Sequence, residues 1–78
     1  RKSKEEEAKR RRLERDLTET EATIATLEED IHNWKLEMCK EEVYSDHLLS
    51  ASYLQKIEEA ESALNAAYER WEELHERI

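Results

Sequence analysis

The amino-acid sequence predicts an all-α protein: a two-helix antiparallel coiled-coil hairpin that forms a single domain over residues 1–78. Charged residues make up 44% and apolar residues 37% of the chain, which is the composition of a coiled coil. Apolar residues recur in alternating steps of four and three, the heptad period of helices that pack side by side. That period changes phase near residue 41. The apolar positions of a heptad repeat form a stripe, or seam, that packs against the neighbouring helix. A single helix would keep one seam throughout, so the change of phase indicates two helices joined by a turn.

The first helix is predicted over about residues 2–41. Its seam positions are Leu13, Leu17, Thr20, Ile24, Leu27, Ile31, Trp34 and Met38. Residues 2–12 have no seam, and Ala8 is their only apolar residue. The glutamates at positions 5–7 nevertheless lie four residues before Lys9, Arg10 and Arg11, a spacing that favours ion pairs along a helix. We therefore expect residues 2–12 to lead into the coiled coil as a solvated helix.

The turn is predicted over about residues 42–46. Continued past residue 41, the first heptad frame lands almost entirely on polar residues, so the seam ends there. Ser45 or Asp46 is expected to cap the second helix, because either side chain can accept a hydrogen bond from a free backbone N–H group. Val43 and Tyr44 are expected to fold back over the tip. The residues that they would cover are Met38 and Leu48 or Leu49.

The second helix is predicted over about residues 47–78, with a new heptad frame. Its seam positions are Tyr53, Ile57, Ala60, Leu64, Ala67, Trp71, Leu74 and Ile78. Leu54 and Tyr68 flank this seam and widen the apolar stripe. The opposite face is acidic and is expected to be solvated. It carries Glu58, Glu59, Glu61, Glu69, Glu72, Glu73 and Glu76.

The sizes of the seam residues favour one register between the two helices. In this register Thr20 lies opposite Trp71 and Ile31 opposite Ala60, so large side chains face small ones and no void is left. It also centres the turn between residues 45 and 46, where the heptad frame breaks. A competing register places Trp71 against Leu13 and packs the seam less evenly.

Charge is divided unevenly along the chain, whose net charge is −8. Residues 1–15, the basic entry, hold eight basic and four acidic residues, a net of +4, whereas residues 16–78 hold five basic and seventeen acidic, a net of −12. A basic segment attracts phosphate and an acidic one repels it. If nucleic acid is bound, the candidate residues are Arg1, Lys2, Lys4, Lys9, Arg10, Arg11, Arg12 and Arg15.

No catalytic, cofactor-binding or metal-binding motif is present. The chain contains no glycine, which excludes a Gly-rich phosphate loop. The three histidines, at positions 32, 47 and 75, and Cys39 lack the spacing of zinc ligands on one face. The glutamates lie on a solvated face, whereas acid–base catalysis by carboxylates requires a cleft that shifts their pKa. We therefore expect a non-enzymatic domain.

The remaining signals bear on location. The lone Cys39 cannot form an internal disulfide, which fits a reducing cytoplasm. We expect no signal peptide, and the sequence has no apolar run near the length of a membrane span. The chain does not begin with Met, and its first residues already have helical spacing. It is expected to be a cytoplasmic fragment of a larger protein, with no membrane contact.

Two stretches carry a resemblance to a known family. They are the tip Glu42-Val43-Tyr44-Ser45-Asp46 and the ending Tyr68-x-x-Trp71-Glu72-Glu73-Leu74. Together with the basic entry, they resemble the C-terminal hairpin of ABC-F ATP-binding-cassette ATPases, in particular of Uup-type members. The family often has Asp-Pro before the tip and Pro after its Asp. This chain has Cys39-Lys40-Glu41-Glu42 and His47 instead, which leaves the end of the first helix less sharply defined.

The resemblance implies an ATPase that works on the translating ribosome, with this hairpin at its C-terminus. ATP would be bound by the parent's cassettes and not by this hairpin. Uup-type hairpins are associated with nucleic-acid binding, so the ribosome, DNA or RNA are the implied partners. Two alternatives remain open. The hairpin would instead be a structural coiled coil that associates weakly with itself, or its acidic face would be a docking surface for a basic protein.

Overall fold

The computed structural model describes residues 2–78, with side chains from Ser3 onward, and forms an all-α hairpin. Helix α1 spans Lys2–Met38, the short helix α2 spans Glu41–Tyr44, and helix α3 spans His47–Arg77. Helix α3 returns along α1 in the antiparallel direction, giving a rod of 64 × 14 × 14 Å. No strand occurs in this described part of the chain. The predicted fold class is confirmed.

The seam between α1 and α3 contains the residues that the heptad period selected. All sixteen predicted seam residues except Ile78 are buried or half-buried. The most buried of them are Thr20, Ile24, Ile31, Ile57, Ala60 and Leu74. Ile78 is 65% exposed because α3 ends one residue before it. With one interface between two helices, none of the described side chains is completely enclosed.

The register is the one favoured by side-chain size. Ile31, Ile57 and Ala60 form the central buried cluster. The residues packed against it are Leu27, Trp34, Met38 and Leu64. The indole N–H of Trp71 donates to the Glu21 carboxylate at 3.1 Å, which places this ring beside Thr20 and not beside Leu13.

Thr20 is the one buried polar residue of the seam in the described chain, and its hydroxyl is satisfied within its own helix. The hydroxyl donates to the backbone carbonyl of Asp16 at 2.7 Å. A buried hydroxyl without a partner would destabilise the seam, so this bond removes the cost of placing a small polar residue opposite Trp71.

The link between the long helices differs from the predicted plain turn. Helix α1 ends at Met38 and not near residue 41, because the N–H groups of Cys39 and Lys40 bond to carbonyls only three residues back, which tightens the last turn. Lys40 then adopts an extended conformation with ψ 138°, and α2 follows. The cap of α3 is Asp46, whose Oδ1 accepts from the N–H of Leu49 at 3.1 Å.

The tip buries only one of the two residues expected to close it. Val43 is 4% exposed, whereas Tyr44 is 60% and Leu48 82% exposed. Consecutive residues of a helix point about 100° apart, so the single turn α2 can aim only one of Val43 and Tyr44 at the hairpin. The prediction for Tyr44 is therefore wrong, and the tip carries exposed apolar side chains.

Candidate nucleic-acid interface

The first residues of α1 extend past the end of α3. Leu13 and Ile78 line one cleft together, so α3 ends level with Leu13. The preceding residues 2–12 project from the hairpin over about 16 Å, at about 1.5 Å per helical residue. Of the described residues outside α1, only Arg77, the last residue of α3, and Ile78 border this stretch, so it is the part of the rod most open to a partner.

The basic entry presents its charges to solvent along this projection. Lys4, Lys9, Arg10, Arg11, Arg12 and Arg15 are all exposed. Arg1 lies outside the described residues, as does the side chain of Lys2. The structure thus places six of the eight predicted residues on one solvated helical segment.

Few of these charges are neutralised by neighbouring carboxylates. Among the described residues, the basic entry forms one ion pair within 4 Å, between Arg11 Nη2 and Glu7 Oε2 at 3.8 Å. Both side chains are largely exposed, and such pairs contribute at most about 1 kcal/mol. The predicted pairs of Glu5 with Lys9 and of Glu6 with Arg10 do not form. The charges of the entry remain available to an anion.

The basic side chains lie in two groups around the helix, which share Arg12. Arg11, Arg12 and Arg15 border a shallow groove over Ala8. On another side, Lys9 and Arg12 surround Leu13 together with Arg77 from α3. The sequence did not single out Arg77. Its position could have been read from the register, because the register that places Thr20 opposite Trp71 also places Ile78, the residue after Arg77, opposite Leu13.

The body of the hairpin has the opposite electrostatic character. The seven glutamates of its predicted acidic face are exposed. Some other acidic residues bridge the two helices. Asp16 approaches Arg70 at 3.8 Å, and Glu28 accepts from the Tyr68 hydroxyl at 2.6 Å. The hydrogen bond to this carboxylate raises the pKa of Tyr68 above its usual value of 10.0. The acidic body would repel a polyanion, so it restricts such a partner to the basic entry.

The described residues show no metal site and no membrane-spanning helix. Within residues 2–78, no group of three or more His, Cys, Asp or Glu residues has a geometry that could hold a metal ion. Cys39 is exposed, and the His75 ring lies 4.2 Å from the Trp71 ring at a tilt of 55°. None of the described helices combines the length and hydropathy needed to cross a bilayer.

Comparison with known proteins identifies the family. The sequence model of the protein family described as the ABC transporter C-terminal domain matches residues 6–76, which is nearly the whole chain. No curated protein and no solved structure gave a significant match. The matched domain is a C-terminal accessory domain of ABC proteins. The hairpin therefore belongs to the ABC transporter C-terminal domain family.

Proposed function

We propose that this hairpin is the interaction domain of an ABC-F ATPase, and that it contacts nucleic acid, including the RNA of the ribosome, through its basic entry. The supporting observation is the projecting segment, where exposed Arg and Lys side chains have few carboxylate partners. The family match supports a role within an ABC protein. The assignment to ABC-F rests on the resemblance of the Tyr44-Ser45-Asp46 tip and the Trp71-Glu72-Glu73-Leu74 ending. ATP binding and hydrolysis belong to the cassettes of the cytoplasmic parent.

The chemistry of the basic entry favours contact with the phosphate backbone over reading of bases. The guanidinium group donates two parallel hydrogen bonds to a phosphate, and three consecutive arginines, residues 10–12, point to different sides of α1. The entry contains no aromatic ring on which an unpaired base could stack. We therefore expect binding that depends little on sequence and strongly on salt.

The first test is to titrate labelled single-stranded and double-stranded DNA and RNA at two salt concentrations. Changing Arg10, Arg11 and Arg12 to Ala is expected to abolish most binding and to reduce the slope of log K against log salt. Each lost phosphate contact reduces the magnitude of that slope by about 0.7 to 0.9, so the loss of three contacts in the triple variant should reduce it by roughly two to three. Alanine is the best helix former, so α1 should remain helical, which circular dichroism can verify.

A matched control changes the same amount of charge elsewhere. Lys35, Lys40 and Lys56 are exposed residues of the body, and replacing all three with Ala leaves the basic entry intact. This variant should retain binding. No binding at low salt by the unchanged protein, or an equal loss in both triple variants, would refute the proposal. Different affinities for DNA and RNA would identify the preferred nucleic acid.

Weak self-association is a second candidate function, supported by apolar side chains beside the seam. Leu54 and Tyr68 remain substantially exposed on α3. Two copies of net charge −8 repel at low ionic strength, so an association of this kind should strengthen as salt screens the repulsion. Nucleic-acid binding has the opposite salt dependence, which separates the two candidates.

Sedimentation equilibrium at increasing protein and salt concentrations tests self-association. The average mass is expected to rise with both, and Leu54→Ser should reduce the rise. Leu36→Ser is the matched control, because Leu36 is similarly exposed but lies on the outer face of α1, away from the seam. A constant monomer mass under all conditions would eliminate this candidate.

A further inference from the structure

The open end of the hairpin forms a cleft between α1 and the last turn of α3, which we call the mouth. Its residues are Glu6, Lys9, Arg10, Arg12, Leu13, Arg77 and Ile78. Four of these side chains are cationic and one is anionic. These cations come from both helices, because Arg77 belongs to α3 and the other three belong to the basic entry on α1.

The heptad repeat shows that the charges of the mouth differ from those farther along the same flank. Arg70 of α3 faces Asp16 of α1 across the hairpin, and the pair has opposite charges. Moving one heptad toward the open end on each helix leads to Arg77 and Lys9, which have the same charge. Both line the mouth, and among the described residues neither has a carboxylate within 4 Å. Like charges held together repel, and an anion between them would remove that repulsion.

We propose that the mouth binds a phosphodiester group of a nucleic acid between the two helices, with Lys9 and Arg12 on one side and Arg77 on the other. This inference rests on the proposed function and adds to it a binding residue from α3. The basic entry alone, as an isolated helix, would lack this contact. Full affinity would therefore require the folded hairpin, which holds Arg77 level with Leu13.

Arg77 also has a simpler structural role to be separated from this one. A basic residue in the last turn of a helix interacts favourably with the negative end of the helix dipole. That role would affect the stability of the hairpin and leave its affinity for nucleic acid unchanged. The test must therefore measure binding and thermal stability on the same variants.

The experiment compares Arg77→Ala with Arg70→Ala in the 78-residue protein, using a labelled single-stranded oligonucleotide at low salt and at several higher salt concentrations. Both variants remove one arginine from the same flank of α3. Arg77→Ala is expected to weaken binding about tenfold, the equivalent of one charge-assisted hydrogen bond. It should also reduce the salt slope by about 0.7. Arg70→Ala should stay within about twofold of the unchanged protein, a surface change of little effect. Arg77→Lys, which keeps the charge, should recover part of the loss.

The outcomes distinguish this inference from the proposed function. If the triple variant of residues 10–12 loses binding while Arg77→Ala binds as well as Arg70→Ala, the mouth is not a binding site and the proposed function stands. A lower melting temperature with unchanged affinity in Arg77→Ala would likewise overturn the inference in favour of the helix-dipole role. If the unchanged protein binds no oligonucleotide, both proposals fail.

Discussion

Replacing Leu74 with Ala is expected to lower the free energy of unfolding of the hairpin by about 2–5 kcal/mol. Leu74 is the most buried residue of the described chain, with 3% of its surface exposed. The substitution removes apolar contacts and leaves a cavity that two helices can fill only in part. Small domains have total stabilities of roughly 5–15 kcal/mol, so this one change would remove much of the total. Urea unfolding followed by far-ultraviolet circular dichroism measures the loss.

Leu48→Ala is the matched control for this prediction. It deletes the same atoms from the same helix, but Leu48 is 82% exposed and should contribute within about 0.5 kcal/mol. The two variants thus isolate the effect of burial from that of helix propensity. Equal stability of the two proteins would show that Leu74 does not lie in a packed seam in solution.

Exchanging Ile31 and Ala60 is expected to restore most of the stability that either single change removes. Ile31→Ala alone should cost about 2–5 kcal/mol, because it opens a cavity in the central cluster. Ala60→Ile alone should cost about 1–3 kcal/mol, because it overfills the same layer. In the double variant the added isoleucine occupies the space left by the lost one. Its coupling free energy should therefore be stabilising and of order 1–3 kcal/mol.

The coupling is specific to the register of the structure. In the competing register, with Trp71 beside Leu13, the two positions would not share a layer and the two losses would simply add. Thr20→Ala combined with Ala60→Ile provides the control pair, since these residues lie far apart along the seam and should show additive effects. Additive losses for the Ile31 and Ala60 pair would contradict the observed packing.

Most of the architecture was predictable because helical coiled coils follow local periodicity. The heptad identified the residues of both seams, and the contrast of Trp71 with Thr20 selected the register. The tip was less predictable. There, the burial of Val43 and the exposure of Tyr44 depend on the backbone angles at Lys40, which no periodic pattern encodes. The end of α1 at Met38 also escaped prediction, since no Pro or Gly marks it.

The candidate site was predictable in its location but not in its details. Runs of like charge are visible in a sequence, so the basic entry could be identified. The pairing of exposed side chains could not be predicted, because ion pairs of this kind gain little over hydration. Of the three pairs predicted within the basic entry, only that of Glu7 and Arg11 forms. Predicting the contribution of Arg77 would have required knowing which α3 residue lies level with Leu13.

The separation of charge along the rod makes the hairpin an electric dipole. In the field of a polyanion, the positive mouth turns toward the phosphates and the acidic body turns away. A hairpin attached at its mouth would thus stand upright on the nucleic acid. The part of the 64 Å rod between the mouth and the tip then sets a distance from the nucleic acid, with the exposed Tyr44 and Leu48 held at the far end. In this arrangement the coiled coil serves as a rigid strut whose direction is set by electrostatics and whose reach is set by the number of heptads.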